Sequence, residues 1–132
     1  MNEFVSIDHN FEIKVKTGFD FDQSDPLHFQ YLFKYTITIQ NKSEVAAQLI
    51  SRYWNIMDAK GEKKVVEGPG VIGKQPFFSP DMVFEYSSFC PLSTMKGEMW
   101  GHFNMINNYG QSFKIHTPHF YFEVPKEFID NY

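Results

Sequence analysis

The chain has 132 residues, a formal charge of −4 and one cysteine. A compact domain of this length holds one core and buries roughly two-thirds of the surface that its unfolded chain exposes. The acidic balance and the lack of clustered Lys and Arg exclude broad binding to nucleic acid or to an anionic membrane surface, and a lone cysteine, Cys90, excludes an intramolecular disulfide framework.

With 15 Phe and 7 Tyr the chain is rich in bulky rings, which suit the pleated surface of a sheet better than a helix. Residues 1–10 (MNEFVSIDHN) lack a basic region followed by an apolar stretch, and no window approaches the ~18 apolar residues of a membrane span. A soluble, cytoplasmic protein is expected, one domain over residues 1–132, with 1–10 and 126–132 as flanking tails, the second a frayed end or a single helical turn.

Phe11, Ile13 and Val15 alternate with Glu12, Lys14 and Lys16, the period of a half-buried strand. The Asp- and Ser-rich stretch from Gly18 to Pro26 reads as a loop. Phe33, Tyr35, Ile37 and Ile39 give a second strand that stops at the turn residues Asn41, Lys42 and Ser43. Ile50, Trp54 and Ile56 lie in a third, around Arg52, with Trp54 as a core anchor; it ends in a turn at Asp58-Ala59-Lys60-Gly61.

A short strand over Lys63–Glu67 leads to the loop Gly68-Pro69-Gly70-Val71-Ile72-Gly73, and Pro76 and Pro80 are expected to keep the following residues irregular. Phe84 and Tyr86 then alternate with Glu85 and Ser87, up to Cys90-Pro91. From Met95 onward, Met99, Gly101, Phe103 and Met105 share one face and Glu98, Trp100, His102 and Asn104 the other, closing a hairpin at Asn107–Gly110. Gly101 marks a close backbone approach or a bulge. In the last strand the apolar parity flips between Ile115 and Phe120, which a bulge at Pro118 accounts for. Seven or so strands with regular turns predict an all-β, two-sheet antiparallel sandwich.

Five motifs occur in order: SRYW, GPGVIGKQP, FEY, PLST and GEMWGHFNM. Together they make the chain resemble the ApaG family. The resemblance implies an immunoglobulin or fibronectin type III-like sandwich acting as a binding module, linked to magnesium and cobalt homeostasis and bringing no enzymatic activity or cofactor. Tyr53 stands where the family often has His, Phe89 where Gly is common, and Thr117 where an aliphatic residue is usual.

Gly68, Gly70 and Gly73 satisfy G-x-G-x-x-G, whose amides could cradle a phosphate-containing ligand with Lys74 as counter-charge. The pattern also suits a purely structural turn, and Gln75-Pro76 leaves no place for the helix a dinucleotide site needs. His102 and His116 fall opposite each other across the last hairpin, a weak candidate metal pair lacking a third ligand. Cys90 has no His near it in sequence, and no paired carboxylates appear, so no catalytic residue is assigned. Trp100, His102, Phe120 and Phe122 are expected to form an outer aromatic patch that, with the Gly68–Pro76 loop, contacts a protein partner, or a second copy in a homodimer.

Overall fold

The computed structural model describes residues 2–130. Phe11, Ile13, Val15 and Phe19 are buried along β2 (Phe11–Phe19), and Tyr31, Phe33, Tyr35, Ile37 and Ile39 along β3 (Tyr31–Asn41). These two strands pair antiparallel through the middle of a four-stranded sheet. β1 (Asn2–Asp8) flanks β2 on one side and β7 (Val83–Leu92) flanks β3 on the other.

The second sheet is centred on β4 (Ala47–Asp58) and β8 (Lys96–Asn107). β5 (Lys63–Pro69) and the two-residue β6 (Phe77–Phe78) lie beside β4, while β9 (Ser112–His116) and β10 (Phe120–Glu123) follow each other beside β8. The two sheets face each other as an antiparallel β-sandwich around one hydrophobic cluster. Trp54 sits at its centre, edge-on to Tyr35, Phe103 and Phe120 with ring centroids 6.1, 5.7 and 5.7 Å away. Among the described residues no helix is long and apolar enough to cross a membrane.

Three expectations need correction. The first ten residues are not a tail. β1 pairs with β2 along its whole length, and His9 and Asn10, both at positive φ (49° and 59°), form the two-residue turn that joins them. The stretch after Pro76 is not wholly irregular, because Phe77 and Phe78 pair with Gln48 and Ala47 and Phe78 is fully buried. Phe120 and Phe122 belong to the core, at 0% and 2% exposure. His116 lies opposite His102 but Phe120 lies opposite Met99, so four steps on one strand match three on the other, and the extra residue turns Phe120 and Phe122 inward.

At this bulge Thr117 substitutes for the missing ladder partner: its Oγ1 accepts from the Gly101 amide at 3.0 Å, and its own amide donates to the Gly101 carbonyl at 3.0 Å. The expected C-terminal tail contains a turn of helix, α1 (Lys126–Asp130), with Phe128 packed on Phe19 and Phe21; residues 131 and 132 lie outside the described residues.

The two edges of the sandwich differ. On one, Ser6 donates to the His116 carbonyl at 2.9 Å, and the Asp8 carboxylate accepts from the His116 amide at 2.9 Å, so β1 is stitched to β9. On the other, β5 and β7 stand apart and line a cleft.

Candidate functional site

The glycine loop is a closed hairpin tip. The Val71 and Lys74 amides and carbonyls exchange hydrogen bonds of 2.8 and 2.9 Å around Ile72 and Gly73, whose φ values of 44° and 76° define a type I′ turn. The Gly70 amide donates to the Ile50 carbonyl at 2.8 Å, and Arg52 Nη1 donates to the carbonyls of Pro69 and Gly70 at 3.0 Å each. Val71 is fully buried beneath the tip. The amides of Gly70, Val71 and Lys74 are thus engaged within the fold instead of converging on an anion. Gly68 lies on β5, and Lys74 is exposed at the tip. These four candidates are not gathered into a phosphate cradle.

Of the expected outer patch, Trp100 and His102 keep their place and Phe120 and Phe122 do not. Trp100 stacks on His119 with ring centroids 4.6 Å apart and planes 13° from parallel, and His119 stacks on Tyr121 at 5.1 Å. Glu98 fixes the imidazole through a 3.0 Å contact to Nε2, and Lys63 Nζ lies 5.8 Å from the Trp100 ring centroid. A second stack on the same face joins Tyr53 to His102 at 5.1 Å and 8°. Tyr121, at the end of the row, and Val65 on β5 are about half exposed. Tyr53, His119 and Tyr121 did not emerge from the sequence as members of this face, although the alternation carried a signal: Tyr53 has the opposite parity to Trp54, and Tyr121 to the two inward Phe.

His102 and His116 are register partners, as the hairpin spacing predicts, with ring centroids 5.7 Å apart. Their surroundings pull them to different tasks. His116 Nδ1 is 2.8 Å from Asp8 Oδ2, and Asp8 Oδ1 is 2.9 Å from His9 Nδ1. Burial, with the positive charges of Lys114 and His116, lowers the His102 pKa. Among the described residues no group of three or more His, Cys, Asp or Glu is placed to hold a metal ion. Cys90 is buried on the inner face of β7, and burial pushes its thiol up to about 12 against a smaller opposing effect of Lys64. A thiol so protonated is a poor nucleophile.

Comparison with known proteins places this architecture. The family model for the ApaG domain matches residues 21–107. Protein ApaG of Mesorhizobium japonicum is 42% identical over 122 residues, covering 92% of this chain and 94% of that protein, and Protein ApaG of Bdellovibrio bacteriovorus is 42% identical over 116 residues, covering 88% and 91%. A crystal structure of a Bordetella pertussis protein bearing the name ApaA superposes with a TM-score of 0.86 at 37% identity, covering 88% of this chain and 94% of that one. The C-terminal domain of wzt, 11% identical with a TM-score of 0.55, shares the fold alone.

Proposed function

The chain belongs to the ApaG domain family, and on that premise we propose that it is a non-catalytic module that docks a protein partner on the outer face of the six-stranded sheet. The observation that carries this reading is the stacked row Trp100–His119–Tyr121 beside the Tyr53–His102 pair. Trp and Tyr contribute large contact area at low entropic cost and are enriched among residues that dominate binding energy. Stacking holds these rings in place before a partner arrives, which reduces the ordering cost of association. The protonated, buried Cys90 thiol supports binding over covalent chemistry. A role in magnesium and cobalt homeostasis is then exercised through the partner.

The test is affinity capture from an extract of the source cell with immobilised wild type, the Trp100→Ala/Tyr121→Ala variant and a Lys74→Ala control. The double variant should lose the specifically retained protein at least tenfold, since truncating a central aromatic costs about 2 kcal/mol, while Lys74→Ala retains it. Sedimentation of purified wild type and double variant reveals whether the retained protein is a second copy of this chain. Equal capture by all three would remove the proposal.

A further inference from the structure

The open edge between β5 and β7 holds a cleft of about 450 Å³ running into the space between the sheets. Its walls follow from register. On β4 and β5 the residues facing inward toward this edge include Arg52, Ile56, Lys64 and Val66, with Arg52 opposite Gly68 and Ile56 opposite Lys64. Facing them, β3 supplies Tyr35, and β7 supplies Ser88 and Cys90, which share the parity of Tyr86. One wall therefore carries positive charge and the other hydroxyl groups.

Arg52 is committed to the fold through Nη1 alone, which holds the Pro69 and Gly70 carbonyls. Among the described residues no carboxylate forms an ion pair with Arg52 or Lys64. Gly68 leaves room for the guanidinium, because a Cβ there would stand 3.3 Å from both Nη1 and Nη2. The two carboxylates lining the cleft, Asp58 and Glu62, belong to the β4–β5 turn, six residues along the strand from Arg52, or roughly 20 Å in backbone distance. Asp58 Oδ1 already accepts from the Lys60 and Glu62 amides at 2.8 and 3.0 Å.

The hydroxyls on the facing wall point the same way. Tyr35 and Ser88 both line the cleft and are hydrogen-bonded to each other. A hydroxyl donates and accepts at once, so this pairing leaves Ser88 able to engage an anion. Arg presents a fork suited to carboxylate or phosphate oxygens, and the fold uses only its Nη1.

We infer that the β5–β7 cleft is a binding site for a small organic oxyanion, its headgroup held by Arg52 and the Ser88 hydroxyl, its apolar body lying along Ile56 and Val66. Lys64, exposed at the mouth, draws the anion in. The site is separate from the outer aromatic face, on the opposite side of β4, and from the glycine hairpin tip.

The experiment is a nitrogen-15 NMR titration at fixed ionic strength with inorganic phosphate, phenyl phosphate and benzoate; the last two distinguish a phosphate from a carboxylate headgroup. Saturable shifts are expected at Arg52, Ser88 and Cys90, with at least one aromatic anion binding more tightly than inorganic phosphate because its ring enters the apolar part. Arg52→Lys should weaken binding at least tenfold and Lys64→Gln two- to threefold. Because Arg52 also supports the hairpin, Ser88→Ala is the decisive variant: it should leave the melting temperature of the free protein nearly unchanged and yet weaken anion binding at least fivefold. Unchanged affinity in Ser88→Ala, shifts centred on Lys74, or no saturable shift in the cleft would each overturn the inference.

Discussion

Gly70 and Gly73 both sit at positive φ, 61° and 76°, in one hairpin tip, yet a side chain means different things at each. A Cβ at Gly70 would collide with the Lys74 carbonyl oxygen, part of the ladder that closes the tip, whereas at Gly73 it would meet nothing within 4 Å. Gly73→Ala incurs only the left-handed backbone penalty, about 1 kcal/mol. Gly70→Ala adds a backbone clash above the buried Val71 and should cost about 3 kcal/mol or more. Urea unfolding of the two variants should give this order, and equal losses would mean that the tip relaxes freely. G-x-G-x-x-G is ambiguous as text because the glycines mark where the turn is tolerated, while the acceptors of the Gly70 and Val71 amides, the Ile50 and Lys74 carbonyls, are set by folding.

At the level of elements, strands with clean alternation were legible, β2, β3 and β8 above all, because burying one face leaves a period of two. β1 was not, since Val5 and Ile7 sit on its exposed side and blur the pattern. Its attachment depends on Asp8. Burial alone would raise the Asp8 pKa, but hydrogen bonds from the His116 ring and amide and the charge of His9 outweigh it, leaving the carboxyl below its ordinary 3.8. A carboxyl with a lowered folded pKa contributes stability that is fully present above 3.8 and is lost as the pH falls through the folded value. The gap in urea midpoint between wild type and Asp8→Ala should therefore shrink as the pH drops below 3.8, and a gap independent of pH would show that the pair is not coupled to folding.

The β9–β10 bulge was legible from Pro118 and the flipped parity, but its consequence for Phe120 and Phe122 was misassigned, because an outer patch with Trp100 requires the strand to keep its original facing. Thr117 explains how the bulge is tolerated. Thr117→Val removes the acceptor of the buried Gly101 amide and should cost about 1–3 kcal/mol. A loss well below that range in thermal unfolding would mean that the amide finds another acceptor.

For the whole molecule, the sandwich sorts its chemistry by surface. The four-stranded sheet supplies one wall of the core, and the six-stranded sheet turns a pre-stacked aromatic row outward. The open edge keeps a cationic cleft between them. The row was partly legible, since Trp100 and His102 fall out of simple alternation, but His119 enters it only through the bulge. The cleft was not legible at all, because Tyr35, Arg52, Lys64 and Ser88 come from four strands whose registers exist only after folding. The most direct test of the partner-docking face is photo-crosslinking in the living cell with a benzophenone amino acid at Tyr121, and at Ser87 on the exposed face of the other sheet as control. A discrete crosslinked protein obtained from position 121 and absent from position 87 is the predicted result; the same products from both positions, or none from either, would contradict it.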